Sequence, residues 1–68
     1  MGEPKLRNGL KVERTRLGLT QAELAQRIGV SRKTINTVEN GVFIPSTVLA
    51  LKLAAALGAA VEALFWLE

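Results

Sequence analysis

The three residues Gly29-Val30-Ser31 constrain this 68-residue chain more than any other feature. A segment with helical periodicity lies on either side, and a link this short holds two helices at a steep angle. The connection requires a residue of positive φ, which Gly29 supplies without strain. The first segment opens at Thr20 with Glu23 three residues on, a capping box in which each side chain satisfies a backbone donor near the other. Ala22, Ala25 and Ile28, with Leu24 beside them, give its apolar stripe, and Ala25 is small where the helices approach most closely. Ser31 caps the second segment, Ile35 and Val38 pin it inward, and the turn dipeptide Asn40-Gly41 ends it.

Other helices flank this unit. Leu6, Leu10 and Leu17 recur at four and seven, predicting a helix over residues 8–17 with Gly18 as a left-handed cap. Pro45-Ser46 opens another, whose Leu49, Leu53 and Leu57 recur at intervals of four, with Ala50 and Ala54 beside them and Gly58 as the stop. A fifth, from about Val61 to Leu67, turns Val61, Leu64 and Phe65 inward; its cap position holds Ala60, a loss of about 1 kcal/mol against Ser or Asp. No strand-like alternation appears. The expected fold class is all-α, a compact five-helix single domain over residues 1–68, with a flexible arm over 1–6 and the central two-helix unit over 21–40.

Composition narrows the function classes. Hydrophobic residues make up 49% of the chain, yet only Phe43, Phe65 and Trp66 are aromatic, so the core must be aliphatic. There is no Cys, His, Asp or Tyr. Without Cys there is no disulfide framework, thiol nucleophile or Cys-ligated zinc; without His the usual proton shuttle and commonest metal ligand are missing. No nucleophile–base pair or metal cluster can be assembled, so neither an enzyme nor a cofactor is expected. Residues 48–67 are rich in apolar side chains, but Lys52 and Glu62 would cost about 2.5–3.5 kcal/mol each near a bilayer centre, and Gly58 divides the stretch into pieces too short to span it. The N-terminus MGEPKLRNG has no apolar core and is no secretory signal. A soluble, cytoplasmic protein with no membrane partner is the expectation.

The net charge of +3 hides its distribution. Residues 1–33 hold eight basic and three acidic side chains, a net +5, whereas residues 34–68 hold one and three, a net −2. With Ile35 and Val38 inward, the third helix turns Arg32, Lys33, Asn36, Thr37 and Asn40 outward. Cations, amides and a hydroxyl on one helix face are the groups that read base edges and phosphates in a major groove. The competing explanation is an ordinary solvated face.

The series GLTQAELAQRIGVSRKTINTVENG over residues 18–41, followed by Pro45-Ser46 and LALKLAAALG, resembles the lambda repressor/Cro-type helix-turn-helix domain of the XRE group of bacterial, archaeal and phage regulators. The likeness extends over residues 8–65 and implies a helix-turn-helix built from helices two and three. It implies that Gln21 bonds a phosphate and braces the recognition helix, that Arg32 and Lys33 touch bases, and that Thr37 reaches a base one turn further on. Ser31, Thr34 and Asn40 match sugar-phosphate contacts, and Asn36 matches a variable position on the same face. Arg14 and Glu39 match a buried ion pair that ties the first helix to the third, a structural role outside the DNA-contacting set. Three departures stand out. Glu13 sits where the family often has an apolar or basic residue. Val48 and Ala55 replace polar residues on the outward face of the fourth helix, with Lys52 between them. Trp66 and Leu67 follow the last core residue. Together Val48, Ala55, Trp66 and Leu67 suggest an apolar patch for a dimer interface.

The expected function is a sequence-specific regulator of transcription that binds double-stranded DNA, a repressor acting as a homodimer on a palindromic operator. One alternative is the antitoxin half of a toxin–antitoxin pair, with a toxin as second partner. Another is a helical protein-interaction module without DNA binding, against which the Gln21, Arg32, Lys33 and Asn40 set argues. No second domain to bind a small-molecule effector is expected, and no effector is inferred.

Overall fold

The chain forms α1 (Leu10–Arg16), α2 (Gln21–Ile28), α3 (Arg32–Glu39), α4 (Thr47–Leu57) and the single turn α5 (Val61–Leu64) in a computed structural model that describes residue 2 and residues 4–68. Three of these helices begin at a hydroxyl that accepts from an orphan backbone donor: Thr20 from Glu23 N at 3.0 Å, Ser31 from Thr34 N at 3.1 Å and Ser46 from Leu49 N at 3.1 Å. These are the caps expected from the sequence. At α5 the Ala60 cap position makes no side-chain hydrogen bond.

Helix α1 is shorter than its leucine spacing suggests. Gly9 stands at its N-cap without a side chain, so Asn8 caps from one residue further back, its Oδ1 accepting from Leu10 N at 3.1 Å. The other end of the same amide donates to Val38 O at 3.1 Å, joining the start of α1 to the last turn of α3. After Arg16 the chain reverses at Gly18, whose φ is +71°. Leu17 is therefore left exposed and Leu19 enters the core instead. Of the three leucines in the four-and-seven spacing only Leu10 lies within the helix: Leu6 precedes it on an extended segment and Leu17 falls one residue past its end.

The all-α expectation is corrected at the two ends of the described chain. Leu6–Asn8 forms β1 and Phe65–Leu67 forms β2, an antiparallel pair in the register Leu6↔Leu67, Arg7↔Trp66, Asn8↔Phe65. The fifth helix accordingly stops at Leu64, and Phe65 is extended at φ −129°, ψ 137°. Aromatic side chains favour a pleated backbone, and the partner strand supplies the hydrogen bonds that a further helical turn would have made. The ladder runs on at both ends, with Gly9 N donating to Leu64 O at 2.9 Å and Glu68 N to Lys5 O at 2.8 Å. Strands of three residues are too short for alternation to announce them. Part of the arm expected over residues 1–6 falls on Met1 and Glu3, outside the described residues; Lys5 and Leu6 are tied to the C-terminal segment.

One cluster of buried aliphatic side chains joins every helix, centred on Leu10, Leu24, Ile35, Leu53, Leu57 and Leu64. Leu49, Leu53 and Leu57 of α4 are buried as their spacing required, while Ala22 of α2 stays exposed and Leu24 and Ala25 take the inward positions. Val61 and Phe65 pack against the cluster from its edge. No helix among the described residues is long and apolar enough to cross a membrane.

Candidate nucleic-acid interface

The site is built on the junction between α2 and α3. Gly29 ends α2 at φ +74°, ψ 36°, and Val30 N donates back to Ala25 O at 3.0 Å, so the chain leaves one helix and begins the next within three residues. Ala25, 3% exposed, lies in the core beneath this turn. The capping box at the start of α2 is complete: Glu23 N donates to Thr20 Oγ1 at 3.0 Å and Thr20 N to Glu23 Oε1 at 2.9 Å. The hydrogen bonds from Thr20, the backbone one foremost, hold the Glu23 carboxyl below its ordinary pKa.

Behind the junction lies an ion pair that fixes α3 against α1. Arg14 Nε reaches Glu39 Oε2 at 2.7 Å and Nη2 reaches Oε1 at 3.1 Å, a bidentate pair whose side chains are only 12% and 4% exposed. Arg14 Nη1 also donates to Leu19 O at 2.8 Å, beside the turn that brings Leu19 inward. The hydrogen bond with Glu39 raises the Arg14 pKa, outweighing the opposing effect of burial. The pairing implied by the sequence resemblance is therefore present.

Glu39 does more than neutralise Arg14. Its Oε1 also accepts from Gln21 Nε2 at 3.1 Å, so the first residue of α2 is gripped by the last residue of α3. Gln21 Oε1 in turn accepts from Asn36 Nδ2 at 3.5 Å, and Asn36 Oδ1 from Asn40 Nδ2 at 3.3 Å. Asn40 Nδ2 also donates to Asn36 O at 2.9 Å. A polar rail thus runs from the half-buried Arg14 through Glu39, Gln21 and Asn36 to the exposed Asn40. Helical spacing places Asn36 and Asn40 on one face, but nothing in a one-dimensional pattern joins Gln21 to Glu39 or Asn8 to Val38. The family resemblance implied that Gln21 braces the recognition helix, but not through which partner, and no signal pointed to the Asn8 link.

The remaining candidates divide into two groups. Ser31 and Thr34 hold each other, oxygen to oxygen at 3.0 Å, at the start of α3; one of the two hydroxyl hydrogens remains free for an outside acceptor. Thr37 Oγ1 lies 3.0 Å from Lys33 O and 3.1 Å from Thr34 O, so its hydrogen is turned back onto the helix. Arg32 and Lys33 are exposed on the first turn, and neither forms a salt bridge or side-chain hydrogen bond among the described residues. Just beyond α3, Val42, Phe43 and Ile44 are exposed in a loop whose first two amides donate to Thr37 O.

The four residues expected at a dimer interface all lie on the surface. Val48 (64% exposed) and Ala55 share the outward stripe of α4 with Leu51 and Lys52. Trp66 and Leu67 are successive residues of β2 and so point to opposite faces of the sheet. Trp66 lies over the start of α1, where its ring carbons Cη2 and Cζ3 are 3.6 Å from the position a Cβ on Gly9 would occupy.

Comparison with known proteins agrees with this geometry. A family model described as Helix-turn-helix matches residues 10–64. The chain is 40% identical over 63 residues to the uncharacterised HTH-type transcriptional regulator YgzD of Bacillus subtilis (strain 168), covering 93% of this chain and 96% of that one. It is 43% identical over 63 residues to the uncharacterised HTH-type transcriptional regulator MJ0272 of Methanocaldococcus jannaschii, with the same coverage of 93% and 96%. Among solved structures, the restriction-modification controller protein C.AhdI from Aeromonas hydrophila superimposes with a TM-score of 0.75 at 39% identity, over 79% of this chain and 78% of that one.

Proposed function

The chain belongs to the helix-turn-helix family of DNA-binding transcriptional regulators, and from that premise we propose that it is a sequence-specific repressor acting as a homodimer on a palindromic operator. Residues 1–68 serve as one cytoplasmic DNA-binding unit. Helix α3 enters the major groove, with Arg32, Lys33 and Thr37 towards the bases. Gln21, Ser31, Thr34 and Asn40 hold the sugar-phosphate backbone, and Asn36 lies between the two sets. The observation that carries this reading is the contrast on α3 itself: two cations with no side-chain partner among the described residues on its first turn, on a helix braced from behind by a largely buried, bidentate ion pair. Donors presented on an immobile support are what groove recognition requires.

A second copy is invoked because two recognition helices about 34–36 Å apart would span one turn of DNA. Val48 and Ala55 on α4, together with Trp66 or Leu67, provide apolar surface for that contact. In the antitoxin reading the same surface takes a toxin as well. Anisotropy of a labelled duplex, measured across a salt series, tests the DNA assignment: log K should fall against log salt with a slope of about −0.9 per phosphate contacted, and Lys33→Ala should weaken binding. Absence of binding at low salt would return the chain to the interaction-module alternative. Sedimentation equilibrium at micromolar concentration tests the pairing, which a strict monomer with and without operator would rule out.

A further inference from the structure

The outward face of α3 carries the amides of Asn36 and Asn40 and the Thr37 hydroxyl, with the Gln21 amide of α2 beside them, but their hydrogen-bonding groups are not equally available. Gripping adenine through its N7 and N6 takes an amide whose N–H and C=O both point at the base, side by side. Both ends of the Asn36 amide point elsewhere: Nδ2 to Gln21 Oε1 and Oδ1 to Asn40 Nδ2. Asn40 Nδ2 spends its two hydrogens on Asn36 O and Asn36 Oδ1. Gln21 is held at one end by Glu39 and at the other by Asn36. Turning any of these amides towards a base would take the rail apart at a link anchored to the largely buried Arg14–Glu39 pair. Thr37 has its hydrogen turned back onto the helix carbonyls, which leaves it a lone pair and a methyl group for the groove. On this face only Arg32 and Lys33, on the turn that makes most base contacts, have no side-chain donor engaged among the described residues.

We infer that α3 reads guanine rather than adenine, with Arg32 and Lys33 as the base-reading residues and the Gln21–Asn36–Asn40 amides confined to bracing and backbone contact. The inference rests on the DNA-binding reading above. Both cations are donors without acceptor capacity, and the major-groove edge of guanine, N7 and O6, presents acceptors alone. Beside these guanine contacts, Thr37 adds a site that accepts an amino hydrogen from cytosine or packs its methyl group against thymine.

The experiment selects duplexes from a random library with the full chain. It then replaces each purine of the selected site in turn by its 7-deaza analogue, which lacks the N7 acceptor. One or two guanines per half-site should each lose about five- to ten-fold in affinity on replacement, while 7-deazaadenine leaves affinity within about two-fold anywhere in the half-site. In Arg32→Ala, and separately in Lys33→Ala, sensitivity at one of those guanines should vanish. Asn36→Ala should select the same bases as the unaltered chain. A costly 7-deazaadenine overturns the inference, as does selective binding that tolerates every 7-deazaguanine; in both cases DNA binding itself stands. Failure of the unaltered chain to bind any duplex at low salt brings down the DNA-binding reading and this inference with it.

Discussion

The α1–α3 half and the α4 segment are held in the molecule by different kinds of force. Around α3 the fixing contacts are directional: a bidentate ion pair, an amide rail and a glycine in a left-handed turn. Helix α4 is fixed by buried Leu49, Leu53 and Leu57, with Lys52 its single charge. Aliphatic burial depends on area and is tolerant of small rotations, whereas a hydrogen-bonded charge pair is satisfied only in a narrow range of geometry. The half assigned to reading DNA is thus the half whose orientation is set by angle-dependent contacts. The half that bulks out the core needs no such control.

Breaking the ion pair should have the largest effect. Glu39→Ala leaves Arg14 without its counter-charge and releases Gln21; because the pair is largely but not fully buried, a loss of up to about 3–5 kcal/mol in chemical denaturation is expected, with DNA affinity of the remaining folded chain reduced as well. Leu53→Ala, in the opposite region, should cost about 2–5 kcal/mol yet leave the affinity of folded molecules unchanged. If Leu53→Ala weakens DNA binding by more than its unfolded fraction explains, the division between the two halves fails. Gly29→Ala forces a side chain into a backbone at φ +74°, costing about 1–2 kcal/mol. Open space around the glycine means that the cost is conformational rather than steric. Its signature should be a Tm decrease together with weaker DNA binding.

The smallest effect concerns acid. Glu23 has its pKa depressed in the folded chain by hydrogen bonds from Thr20, so the carboxylate contributes stability above the unfolded pKa, and that contribution is lost as pH falls through the folded value. Thermal melts of the parent and Glu23→Gln should therefore converge as pH drops through the acid range and separate towards neutrality.

The legible parts of this molecule are those with local causes. Thr20 with Glu23, Ser31 and Ser46 each act on amides three residues away, so the starts of α2, α3 and α4 could be read directly. Leu49, Leu53 and Leu57 of α4 and the pair Ile35 and Val38 announced their burial by spacing. What stayed hidden depends on distant partners. Phe65-Trp66-Leu67 continues a helical pattern, and only the presence of Leu6–Asn8 alongside makes it a strand. Leu17 and Leu19 exchange places because of where Gly18 reverses the chain, a matter of direction rather than hydrophobicity. At the candidate site, spacing identified the outward face of α3, while the commitments of Gln21, Asn36 and Thr37 required the third dimension.

The pairing of β1 with β2 has a kinetic consequence. The helices and their caps can form from neighbours in sequence, but Leu6 meets Leu67 only after nearly the entire chain has been brought round, and closing so long a loop has the greatest entropic cost. This seam should therefore be the last part to zip during folding and the first to fray. The chain's single tryptophan sits on it, opposite Arg7 and over the start of α1. Trp66 emission is thus a built-in stopwatch for closure of the seam, while helical circular dichroism follows the rest.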